Sequence, residues 1–138
     1  MKEAVRTSAA PRPAGPYSQA IRAGDLVFVA GQRPQDPVTG QMTDGIGAQT
    51  GQVLQNVRSV LEAAGCTLAD VVKVNVYLAD LRDFDTFNAV YREFFSEPYP
   101  ARTTVGSALR GMLVEIDVIA SVPPLADFQE LEAGVAVP

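Results

Sequence analysis

A chain of 138 residues with 47% apolar residues has the size of one domain and can bury a core of its own. Histidine is absent and Cys66 is the single cysteine, so an intramolecular disulfide, histidine-based triads and bases, and most catalytic zinc sites fall away. The net charge is −5 and the 11 Lys and Arg are dispersed, which leaves no electrostatic footprint for nucleic acid.

Residues 2–6 leave room for a short opening strand. In GPYSQ (15–19), Tyr17 is held between Pro16 and Ser18, as a core-edge phenol or as a donor into a site. LVFVAG (26–31) is a short apolar run ending in Gly, the pattern of a strand. RPQDPVTGQ, with two Pro, an Asp and a Gly, is a turn region. From Ile46 to Ala64 the period changes: Ile46, Val53, Leu54, Val57, Val60, Leu61 and Ala64 recur at helical spacing. Gln49, Gln52, Gln55, Asn56, Arg58, Ser59 and Glu62 fill the other face. Gly65 ends that helix where a left-handed residue is cheap.

VVKVNVYL (71–78) alternates and is rich in β-branched residues, a strand with Val72, Val74, Val76 and Leu78 on one face. Asp80 and Asp83 have the spacing of a capping pair for a second helix, whose apolar face is Phe84, Phe87, Tyr91, Phe94 and Phe95. SEPYP stops it. ARTTVG (101–106) and MLVEIDVIAS (112–121) read as two more strands. The tail, PPLADFQELEAGVAVP, supports no single assignment; partial helix and draping over a neighbour both stay open.

The order is thus β-β-α-β-α-β-β, with no repeat or linker. If the strands flanking each helix are parallel neighbours, right-handed crossovers put both helices on one face of the sheet. The opposite face is then uncovered. Yet Leu113 and Ile119 lie opposite Val114, Ile116 and Val118, so apolar residues occupy both sides. Such a face calls for burial by another subunit, and an oligomer with clefts between subunits is expected. No apolar run reaches the roughly 18 residues of a membrane span, and MKEAVRTSAAPRPAGP lacks an apolar signal-peptide core. A soluble, cytoplasmic protein is the expectation.

Beside Tyr17, five positions are candidates for chemistry. Arg102 opens a strand, with no acidic residue within four positions, and small Thr104 and Gly106 share its face. It is either an interface arginine paired to a carboxylate or an anion receptor whose planar fork grips a carboxylate. Glu115 and Asp117 share one strand face, as a solvated pair or with one of them directing a water. Gly31 is a plain turn glycine or a point where backbone approaches a ligand. Cys66 has no basic neighbour to lower its pKa and is structural or incidental.

The ordered motifs GPYSQAI (15–21), VAGQRPQDPVTG (29–40), QTGQVLQNVRSVLEAAG (49–65), VVKVNVYLADLRDFDTFNAVYREFF (71–95), YPARTTV (99–105) and VEIDVIA (114–120) together resemble the Rid family. These are the reactive-intermediate imine deaminases, once grouped as endoribonucleases. The resemblance reaches to about residue 121, with residues 122–138 as a tail longer than the family pattern. It implies a single domain over 1–138 with a chorismate-mutase-like α+β fold: a mixed sheet with two helices packed on one face. It also implies a homotrimer with three intersubunit clefts, no cofactor and no metal. The implied reaction is hydrolysis of 2-imino acids, such as 2-iminobutanoate and 2-iminopropanoate, or their enamine tautomers, to 2-keto acids and ammonia. The expected partner is thus a small imino or keto acid, not nucleic acid or a membrane.

By the same resemblance, Arg102 grips the substrate carboxylate and Glu115 positions water. Tyr17, Gly31 and Asn88 line the cleft, and Thr104 stands where many members carry Cys. Ala30 replaces a common Ser, and GSALRGM lacks the usual Leu-Pro-Lys. A non-enzymatic carboxylate-binding regulator is the alternative. A ribonuclease is disfavoured by the acidic chain without histidine.

Overall fold

The computed structural model describes residues 1–124. Six strands form one mixed sheet: β1 (Lys2–Val5), β2 (Ala20–Ala23), β3 (Leu26–Gln32), β4 (Val71–Leu78), β5 (Ala101–Gly106) and β6 (Val114–Ser121). Their spatial order is β1-β2-β3-β6-β4-β5. Two helices, α1 (Ile46–Ala63) and α2 (Phe84–Phe94), complete the α+β fold that was expected. The expectation for the tail falls on residues outside the described ones.

β2 and β3 form a hairpin across Gly24 and Asp25, where Gly24 takes φ 59. β6 pairs antiparallel with both β3 and β4. β3 and β4 therefore run parallel but are not neighbours; the last strand slots between them. Only β4 and β5, joined through α2, are adjacent and parallel.

α1 packs on β3, β6 and α2. Its Val53, Leu54, Val57, Val60 and Leu61 are fully buried against Val27, Val74, Val76, Val114 and Ile116 of the sheet. The helix closes as the sequence suggested. Gly65 takes φ 80, its N–H donates to Glu62 O at 3.1 Å, and the Cys66 N–H reaches Leu61 O at 2.8 Å. These two bonds satisfy carbonyls that a helix end leaves free.

Three details depart from the sequence reading. Val72 is 48% exposed while Val71 is buried, because a register shift between Val71 and Lys73 turns the strand by one residue there. Asp80 caps a short 3-10 turn, Leu81–Asp83, accepting from the Arg82 N–H at 2.9 Å; α2 itself starts only at Phe84. Gln49 and Asn56, placed on the polar face of α1, are buried. Asn56 Nδ2 donates to the carbonyls of Arg33 and Gln35, both at 2.9 Å, and Gln49 Oε1 accepts from the Leu113 N–H at 2.8 Å. Burying these amides is tolerable because each is hydrogen-bonded.

The face away from the helices carries Phe28, Lys73, Asn75, Tyr77, Val105, Glu115, Asp117 and Ile119. Phe28 and Val105 are 42% and 43% exposed. This is the mixed polar and apolar open face that the alternation predicted. Leu54, with no solvent exposure, tests the core: Leu54→Ala leaves a cavity under the sheet. It is expected to cost about 2–5 kcal/mol, read as a lower urea midpoint at fixed protein concentration.

Candidate functional site

Arg102 lies opposite Val74 and Thr104 opposite Val76, so both point to the helix side of the sheet. Here β5 is the edge strand and α2 stands over it. The Arg102 guanidinium carbon lies 4.7 Å from the ring centroid of Tyr91, 5.4 Å from Phe87 and 5.7 Å from Phe84. Rings at these distances stabilise a cation through their negative faces but neutralise no charge. The ion pair found among the described residues is the surface pair Arg82–Asp80, with Arg82 almost fully exposed. Arg102 has no carboxylate partner among the described residues.

A cavity of about 250 Å³ opens beside the guanidinium, lined by Asn88, Tyr91, Arg92, Tyr99, Pro100 and Arg102. The Tyr91 hydroxyl and Thr104 Oγ1 are buried without a hydrogen-bond partner among the described residues. Burial pushes the Tyr91 phenol up, and the Arg102 charge pulls against that shift. A guanidinium, an amide and two unmet hydroxyls thus gather at the same edge of the sheet. Asn88 lines the cavity with Arg102, and Thr104 lies two residues along the same face of β5.

Glu115 is elsewhere. It lies opposite Tyr77 on the open face, with β4 standing between its strand and that of Arg102. Gly31 accompanies it. The ladder between β3 and β6 breaks between Val29 and Gln32, and the Glu115 carboxylate packs against the Gly31 backbone within that break. Beside it, Asn75 Nδ2 donates to Asp117 Oδ1 at 2.8 Å, and the nearby Asp117 carboxylate pushes the Tyr77 phenol up. Partial burial pushes the Glu115 carboxyl up first, the Asp117 charge adds to this, and Arg33 opposes it.

Tyr17 forms a third group. It is 46% exposed, and its hydroxyl accepts from the Ala14 N–H at 3.0 Å. Its loop is anchored by buried Gln19, whose Nε2 donates to the carbonyls of Thr7, Ala10 and Pro11 and whose Oε1 accepts from the Thr7 N–H. A cavity of about 610 Å³ lined by Arg6, Arg12 and Tyr17 lies against this loop. One copy of the chain therefore presents Arg102, Asn88 and Thr104 on one side of the sheet, Glu115 and Gly31 on the other, and Tyr17 on a separate loop.

Sequence reasoning missed the aromatic lining. Phe84, Phe87 and Tyr91 belong to the apolar face that the sequence assigns to the second helix, but their facing partner on β5 is set by the tertiary fold. Tyr99 and Arg92 were not singled out at all. Asn56 was also missed: it ties down the segment that follows Gly31 and carries Arg33.

Residues 7–122 match the family model described as Endoribonuclease L-PSP. The chain belongs to this family, the Rid family. A RutC family protein of Pyrococcus horikoshii is 52% identical over 123 residues, 87% of this chain and 98% of that protein. The 2-iminobutanoate/2-iminopropanoate deaminase of Salmonella typhimurium is 41% identical over 125 residues, 87% of this chain and 98% of the enzyme. Among solved structures, RidA of the Antarctic bacterium Psychrobacter sp. PAMC 21119 superposes with a TM-score of 0.84 at 43% identity, covering 87% of this chain and 99% of that one. Similarity to Rid proteins thus extends through sequence and fold alike. Among the described residues no helix is long and apolar enough to cross a membrane, and no cluster of three or more His, Cys, Asp or Glu could hold a metal ion.

The Glu115 environment has a measurable consequence. In the unfolded chain the carboxyl returns to its ordinary 4.5, whereas the fold keeps its proton to higher pH. The native state then binds more protons across that window, so stability falls as pH rises through it. Glu115→Gln removes the effect. From about pH 4 to about pH 8, the wild type is expected to lose stability relative to Glu115→Gln, read from urea midpoints of the two proteins.

Proposed function

We propose that this Rid protein hydrolyses reactive 2-imino acids, or their enamine tautomers, to 2-keto acids and ammonia, at clefts that form between copies of the chain. The observation that carries the reading is Arg102: a guanidinium beside a cavity, cushioned by three rings and left without a carboxylate among the described residues. Its planar N–H fork suits the carboxylate of a small acid. The relatives named as 2-iminobutanoate/2-iminopropanoate deaminases, at about 40% identity, support the reaction.

In this reading Arg102 holds the substrate carboxylate through two hydrogen bonds and so fixes the imine carbon. Glu115 directs a water at that carbon and takes one of its protons. The new C–O bond gives a carbinolamine; its nitrogen leaves as ammonia while the hydroxyl becomes the keto oxygen. Tyr17 hydrogen-bonds the intermediate or the water, and Asn88 and Thr104 shape the cleft. A protonated imine is already electrophilic, so neither covalent nucleophile nor cofactor is required.

The opposite placement of Arg102 and Glu115 supports an assembly. A second copy, set against the open face and the β5 edge, supplies to each cleft what one sheet keeps apart. We take the assembly to be the homotrimer of the family resemblance, working in the cytoplasm to limit damage by reactive metabolites.

The test generates 2-iminopropanoate with an amino-acid oxidase and lets the protein compete with semicarbazide for it. The wild type is expected to outrun the trap. Arg102→Ala is expected to lose about 1.5–3 kcal/mol of transition-state binding, roughly 10- to 150-fold in kcat/KM. A wild type without turnover that still binds 2-ketobutyrate tightly would turn the reading into that of a carboxylate-binding regulator.

A further inference from the structure

Gly31 raises a question that backbone geometry does not answer. Among the described residues the glycines with left-handed φ are Gly24, Gly40, Gly45, Gly65 and Gly111. Gly31 is not among them, so an L side chain meets no backbone strain there. What the missing side chain provides is space. A Cβ built on Gly31 would fall 2.5 Å from Glu115 Oε2, 2.9 Å from its Cδ and 3.2 Å from its Cγ. Three consecutive atoms of the glutamate fill the volume that any other residue would occupy.

We propose that Gly31 is a positioning residue: its bare backbone forms a slot that seats the Glu115 carboxylate, fixes its direction and withdraws it partly from water. The inference rests on the reading above, in which Glu115 directs the water. Among the described residues nothing donates a hydrogen bond to the Glu115 carboxylate, so packing rather than hydrogen bonding holds it. The available donor on the neighbouring strand, Asn75, is committed to Asp117. The charged and titratable groups facing the carboxylate are Arg33 beyond the end of β3, Tyr77 on β4 and Asp117 on β6. The break in the β3–β6 ladder gives the slot its depth, because Gly31 is released from pairing between Val29 and Gln32.

Gly31→Ala tests this with little risk to the fold. The clashing group is the free end of a side chain, and it can swing out to water. Turnover of 2-iminopropanoate is expected to fall about 100-fold in kcat, with KM nearly unchanged because the grip of Arg102 on the substrate carboxylate makes no use of Glu115. The acidic limb of the pH profile is expected to move to lower pH, since the displaced carboxylate regains solvent. Adding Glu115→Asp shortens the side chain and withdraws it from the new methyl. The double variant Gly31→Ala/Glu115→Asp is therefore expected to lose less activity than the product of the two single fold-losses. Wild-type kcat in Gly31→Ala overturns the proposal, as does a loss with an unmoved limb and no offset by Glu115→Asp.

A carbon-13 NMR titration of the Glu115 carboxyl reads the slot without any turnover. Its raised pKa is expected to drop toward the ordinary glutamate value in Gly31→Ala. A protein that turns nothing over yet shows this drop refutes the deaminase reading and upholds the slot. An unshifted titration refutes the slot.

Discussion

The insertion of β6 between β3 and β4 is the constraint on which the rest of the molecule depends. As the last of the described strands, it must enter a sheet whose two flanking strands are already parallel, and it pairs antiparallel with both. Period-two alternation then sorts its residues without exception. Val114, Ile116, Val118 and Ala120 go under the helices, while Glu115, Asp117 and Ile119 go to the open face. The same strand that closes the core thus sets a carboxylate pair on a surface that no helix covers. Moving its register by one residue would bury both acids and expose four core residues, so packing energy enforces the placement of Glu115.

That placement has an electrostatic meaning. A guanidinium and a carboxylate in one small cavity would pair and quench each other's capacity for a ligand. Here the sheet stands between them. Arg102 is stabilised by rings, which leave its donors unspent, and Glu115 is seated by packing, which leaves its lone pairs unspent. Both groups hold unused bonding capacity, as do the Tyr91 and Thr104 hydroxyls beside Arg102. A single copy bears this cost without return. In the proposed assembly a substrate bridges the two halves, binding Arg102 by its carboxylate and meeting the water of Glu115 at its imine carbon.

Much of this was legible in the sequence because it is written in local periods. The 3.6-residue spacing from Ile46 onward gave α1 to within one residue, and Gly65 marked its end. Alternation in 114–121 correctly divided the two faces. The failures have physical causes of another kind. Val72 was misplaced because a bulge resets the alternation, and bulges leave no mark in an apolar run. Asn56 and Gln49 passed for solvent-facing residues because helical period cannot tell a satisfied buried amide from an exposed one. The separation of Arg102 from Glu115 was invisible because their strands are successive in the chain, and only the topology inserts β4 between them.

Gly31 shows where residue-level reasoning gains most from coordinates. In sequence it is a glycine at the end of a strand, equally suited to a turn or to a close approach. Its unremarkable φ removes the first explanation, and the Glu115 contact changes the second: the closest approach is made by the protein's own carboxylate. This bears on how a chain without histidine can do acid–base work near neutral pH. A water-exposed glutamate is a weak base there, and base strength rises with pKa. Partial burial against Gly31 and the neighbouring Asp117 charge both raise that pKa, while Arg33, tied down through Asn56, keeps the rise in check. Closing the open face against another copy would remove more water from the same carboxylate and strengthen it further as a base. Assembly, in that account, does more than bring two halves of a cleft together; it tunes the half that handles the proton.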